Sequence, residues 1–142
     1  MWIFIDMIKI LLRENLVNHA ITQAINKWVA FYKQDEGMDP CDINTGECMN
    51  FAEAVYGDLI KQGIKVTILS DAYFFDAYGD ETDLVNPKKF GGIPTFDYKR
   101  IGLPSHYWIY YNGKSYDSEA PNGVNNFFEL PTIANFKLEH RK

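Results

Sequence analysis

Basic excess, cysteine and long apolar runs are scarce in this chain, and each scarcity removes a class of function. Fourteen Lys and Arg stand against 19 Asp and Glu, giving a formal net charge of −5 and an isoelectric point near 5.1. A nucleic-acid site needs a basic surface to replace the counterions of phosphates, and no Lys/Arg cluster supplies one locally. No nucleic-acid partner is expected. Only two cysteines occur, Cys41 and Cys48, so a disulfide framework is excluded and a reducing, cytoplasmic setting is expected. The apolar start Met1-Trp2-Ile3-Phe4-Ile5 is interrupted by Asp6 and Lys9, with no basic region before it and no small-residue cleavage site after it. No run approaches the roughly eighteen apolar residues of a spanning helix, so no membrane partner is expected. Phosphate-binding glycine loops, HExxH and GxSxG are absent, which removes nucleotide, zinc-protease and serine-hydrolase readings based on motifs.

What the chain does have is apolar and aromatic mass. Hydrophobic residues make up 46% and aromatics 15% of 142 residues, the composition of one folded domain spanning 1–142. Residues 2–17 place Asp6, Lys9 and Arg13 on one helical face with apolar residues elsewhere, which predicts a largely buried helix. Residues 19–33 predict a second, with Ile21, Ala24, Ile25, Trp28, Val29 and Tyr32 on one stripe and Asn15 or Asn18 as its cap or as a break. Together they form a helical N-terminal part over 1–35. His19 is read as a polar-face residue. From Gln34 to Gly46 the chain is polar and rich in turn formers, as in a loop.

Asn44 or Thr45 is then placed to cap a helix running to about Gln62, and Asn44 with Glu47 has capping-box spacing. Cys48, Phe51, Ala52, Val55, Leu59 and Ile60 share its apolar stripe, and Gly63 supplies a left-handed terminator. Val66 to Leu69 reads as a strand. Residues 71–104 alternate Asp, Gly, Pro and aromatics without a period, as a binding loop does. His106 to Tyr111, Asn112-Gly113 and Lys114 to Ser118 predict a hairpin. With a two-residue turn, Trp108 faces Asp117, and His106 and Asp117 become diagonal neighbours on one face. A register differing by two makes Glu119 the rival. Lys137 to Lys142 is expected to fray.

A thiol at a helix start followed by His and Asp on a hairpin is the layout a cysteine nucleophile requires. The helix N-terminus and an imidazolium both favour thiolate, and a carboxylate fixes the tautomer of the His and supports its charge. Cys48 is the candidate nucleophile, His106 the general base and acid, and Asp117 the residue orienting His106. Free N–H groups at the helix start are placed to bind an oxyanion. Trp108 and Asn50 are candidate substrate-binding residues. A zinc site from Cys41, Cys48, His106 and Asp117 is weighed as a rival, but the cysteine spacing is not that of a zinc knuckle. Asp42-x-Asn44-x-Gly46 lacks the closing Glu of a calcium loop. No metal or cofactor is expected.

Gly46-Glu47-Cys48-Met49-Asn50-Phe51-Ala52, His106-Tyr107-Trp108-Ile109 and Tyr116-Asp117 resemble, in that order, the transglutaminase-like branch of the papain-like cysteine fold. The resemblance covers roughly residues 44–120. It implies an α+β fold, with N-terminal helices and the Cys-bearing helix packed on a small antiparallel sheet. It also implies Cys-dependent acyl transfer or amide hydrolysis through a thioester. The substrate would be a protein, a peptide or a small amide. Papain itself differs in placing Gln upstream of its Cys, where Asp42 or Asn44 stands here, and in using Asn as third member. The alternative is an inactive binding or assembly module on the same fold.

Overall fold

Between Trp2 and Glu36 there is no proline or glycine, so nothing interrupts the backbone hydrogen-bond ladder. The first helix, α1 (Trp2–Glu36), accordingly runs unbroken through 35 residues, where two helices or a break near Asn15 and Asn18 were expected. Asn18 caps nothing. Its carbonyl accepts the Thr22 hydroxyl at 3.1 Å, and its Oδ1 accepts the Tyr116 hydroxyl at 2.7 Å. The computed structural model describes residues 2–70 and 105–139. The loop expected over 71–104 lies outside them.

A second departure follows at α2 (Pro40–Gly46), a seven-residue helix inside the stretch expected to be loop. Its start is locally encoded. Pro40 is preset for the first helical position, and the Asp39 N–H donates to Asp42 Oδ2 at 2.9 Å. Asn44 therefore lies inside a helix, buried, and does not cap the next one. The cap of α3 (Cys48–Lys61) is Glu47, which makes no side-chain capping bond. Gly63, at φ +77°, ends this helix in the left-handed region as expected.

Four strands follow: β1 (Thr67–Ser70), β2 (Tyr107–Tyr111), β3 (Lys114–Asp117) and β4 (Ala120–Val124). They form one antiparallel sheet in the order β1-β2-β3-β4. The Asn112-Gly113 turn has both residues at positive φ, 47° and 83°, the conformation a two-residue hairpin turn requires. Tyr111 accordingly pairs with Lys114 and Ile109 with Tyr116, the expected register. A 3₁₀ turn, Phe127–Glu129, leads into α4 (Pro131–Glu139), so Lys137 to Glu139 are helical where fraying was expected.

Period-two alternation along β2 sends side chains to two cores. On one face Ile109 and Tyr116 pack with Ile21, Ile25, Val55 and Leu59 of α1 and α3. On the other, Trp108 and Leu69 pack with Phe127, Leu130 and Ile133. Each fully buried aliphatic side chain contributes about 1.5–3 kcal/mol. Lys27 Nζ and Trp28 Nε1 both donate to Asp58 Oδ2, at 2.7 and 2.9 Å, joining α1 to α3. The chain is thus α+β, a long N-terminal helix and shorter helices on a four-stranded antiparallel sheet. Two sites expected to be buried are exposed. Ile60 is turned outward, and residues 3–16 of α1 are largely solvent-facing because, among the described residues, α1 reaches the core only from Val17 onward.

Candidate active site

Glu47 alone separates α2 from α3, so the chain turns sharply and Cys48 becomes the first residue of α3. At that position the first-turn N–H groups lack acceptors within their own helix, and that of Met49 bonds the thiol. Ser105, two residues before β2, adopts φ 56°, a left-handed conformation that costs an L-residue roughly 1–2 kcal/mol. Its carbonyl accepts the Cys48 thiol at 3.9 Å. The start of β2 and the start of α3 therefore meet at the sulfur.

Asp117 ends β3, and its carboxylate is held from two sides. Oδ1 accepts the N–H groups of Glu119 and Ala120, both at 2.9 Å, which closes the tight turn into β4. Oδ2 lies 2.8 Å from His106 Nε2. An ionised carboxylate only accepts, so Nε2 carries the proton in that bond. Both side chains are essentially out of water, at 0% and 2% exposure, which strengthens the pairing. Glu119, the rival, is engaged elsewhere: its Oε1 accepts Asn44 Nδ2 at 2.8 Å.

The ionisation of the pair follows from these contacts. Burial opposes charge on His106, but the Asp117 hydrogen bond, a side-chain hydrogen bond with Cys48 and the charges of both outweigh it, raising the imidazole from 6.5 to about 9. Burial likewise pushes the Cys48 thiol up. His106, through its hydrogen bond and its charge, and the backbone N–H groups of Tyr107 and Met49 outweigh it, so the thiol ends below its ordinary value. Both shifts move the proton toward the imidazole.

Trp108 stands behind His106 rather than in a groove. It is 1% exposed, stacked at 5.9 Å and 28° on the His106 ring and at 5.4 Å and 11° on Phe127. An indole face within about 6 Å supports a cationic ring. Asn50 is exposed, two residues along α3 from Cys48, and its Nδ2 donates to Glu47 Oε2 at 2.9 Å. His19 is exposed, its Nε2 3.1 Å from Gln23 Nε2. Both cysteines are free thiols, with Cys41 exposed. No group of three His, Cys, Asp or Glu among the described residues is arranged to hold a metal, so the zinc reading of Cys41, Cys48, His106 and Asp117 finds no cluster. Among the described residues no helix is long and apolar enough to cross a membrane.

Three parts of the site escaped the sequence reading. The backbone donor at Tyr107, on β2 rather than at the helix start, carries no side-chain signal. Ser105 takes a conformation usually assigned to Gly or Asn. The third is a buried polar clamp: Ser118 Oγ lies 2.7 Å from the Pro40 carbonyl and 2.8 Å from Asn44 Oδ1, its single proton serving one at a time. With the Asn44–Glu119 bond, this clamp ties the Asp117 turn to α2, and so to the helix that Cys48 opens. Asn44 carried a signal, but one that also reads as a cap. No family model, no curated protein and no solved structure matches the chain.

Proposed function

We propose that the chain is a cysteine-dependent acyl-transfer or amide-hydrolysing enzyme, with Cys48, His106 and Asp117 as its triad on a transglutaminase-like core. The observation that carries this reading is the relay of contacts: Asp117 grips His106 Nε2 at 2.8 Å, and His106 lowers the pKa of a thiol at the start of a helix. Chain order supports it too, with Cys opening a helix, His preceding a strand and Asp ending the next.

In the first half-reaction Cys48 Sγ attacks the carbonyl carbon of an amide or ester, and the π electrons move onto oxygen. Backbone N–H groups at the start of α3 are the donors for that oxyanion. As the carbonyl re-forms, the C–N or C–O bond breaks and His106 protonates the departing amine or alcohol. The product is a thioester on Cys48. In the second half, water or an amine attacks the thioester, His106 takes its proton, and the C–S bond breaks to return the thiolate.

Trapping the thioester tests this. The full chain is exposed at neutral pH to an activated ester such as p-nitrophenyl acetate, and acylation of each cysteine is followed by peptide mass spectrometry. Cys48 is expected to acylate at least tenfold faster than exposed Cys41, and His106→Ala to erase the difference. Equal rates at the two thiols, unchanged by His106→Ala, would replace the enzyme with the binding module.

A further inference from the structure

We propose that the first four turns of α1 are a self-association element, buried against the same segment of a second copy of this chain. Nine large apolar side chains between Ile3 and Leu16 are 41–77% exposed. Together they present on the order of 1,000 Å² of apolar surface, more than the roughly 300–600 Å² of the largest patch on a typical monomer. A partner helix covers only the side it faces, roughly half of that area, which falls at the low end of what each partner contributes to a specific interface. The segment is helical over about 20 Å at 1.5 Å per residue, and an isolated helix of this length is marginal in water. A packed neighbour supplies what the described core does not, because among the described residues α1 joins that core only at Val17.

Patterning points the same way. Asp6, Lys9 and Arg13 lie on one narrow stripe, and at 100° per residue the apolar positions sweep most of the remaining circumference, interrupted only by Glu14 and Asn15 in the last turn, with Phe4, Ile8 and Leu11 near the centre of the arc. An interfacial membrane helix carries a basic polar face for anionic headgroups. Here Asp6 and Glu14 offset Lys9 and Arg13, leaving no basic excess. A second copy of the same neutral, apolar segment is the occupant that fits.

Sedimentation velocity on the full chain from about 1 to 100 µM tests this, the range in which a small interface of modest quality assembles. The expected species has twice the 16.4 kDa chain mass. Ile8→Glu with Leu11→Glu is expected to return it to the chain mass with the melting transition of the body unchanged, since both positions lie outside its core. Arg13→Gln, on the polar stripe, is expected to leave the doubled mass in place. Phe4→Ser provides a milder second variant if the double one aggregates. A wild-type chain at 16.4 kDa throughout overturns the proposal, and phosphatidylcholine vesicle flotation then reads whether lipid takes this face instead. A doubled mass that survives the apolar substitutions overturns it as well, by locating the interface elsewhere.

Discussion

Replacing Asp117 with Asn keeps the shape of the side chain and removes the charge that holds the proton on His106. The rise of the imidazole from 6.5 to about 9 amounts to roughly 3 kcal/mol of preference for the protonated ring. Burial works against that preference, and the Asp117 hydrogen bond is the largest influence in its favour. In Asp117→Asn the amide oxygen still accepts the Glu119 and Ala120 N–H groups, so the turn survives. The amide nitrogen then faces Nε2 as a donor and forces that nitrogen to accept. The neutral ring keeps its proton on Nδ1, and neither nitrogen is left free to take the proton of Cys48. Both routes to thiolate are lost at once.

Iodoacetamide alkylation of Cys48 across pH reads the consequence, in a Cys41→Ser background that leaves one thiol. The parent is expected to alkylate below the free-thiol midpoint of about 8.5, with a second inflection near 9 as His106 loses its proton. The Asn variant is expected to show a single midpoint at or above about 8.5, with the neutral-pH rate falling about tenfold for each pH unit of displacement. Superimposable profiles for parent and variant would refute the argument that Asp117 activates the thiol through His106.

Two further outcomes concern stability. His106 binds its proton more tightly folded than unfolded, so its contribution is complete below 6.5 and is lost as pH rises through its folded value. In Cys48→Ala, which removes the opposing titration of the thiol together with its share of the rise, the melting temperature is expected to fall as pH rises above 6.5. The loss is bounded by about 3 kcal/mol, and His106→Gln in that background should flatten the dependence. Gly123, at φ +81°, would place a Cβ 2.8 Å from Cε2 of the fully buried Tyr116 ring. Gly123→Ala is expected to destabilise by about 1–3 kcal/mol in urea unfolding, from overpacking and left-handed strain together. A change within 0.5 kcal/mol would mean that the β4 backbone yields at no cost.

Local rules settled several elements before any tertiary contact is considered. Asn112-Gly113 alone sets the turn, the turn sets the register, and the register carries His106 and Asp117 to diagonal positions, because side chains on a strand alternate with period two. Phe51, Ala52, Val55 and Leu59 likewise define the buried stripe of α3 through helical spacing. Residues 3–16 misled for the same reason: periodicity reports which positions are apolar, not whether anything covers them. Only the fold decided that, among the described residues, α1 joins the core no earlier than Val17. It also decided the setting of Cys48, because the Ser105 carbonyl, the Tyr107 N–H and the Asn44–Ser118 clamp reach the site across large sequence separations and act through backbone or buried polar atoms that follow no pattern. The order of Cys48, His106 and Asp117 is written in the chain. Their meeting depends on α2, a helix of seven residues, turning at Glu47 so that the first turn of α3 faces the start of β2.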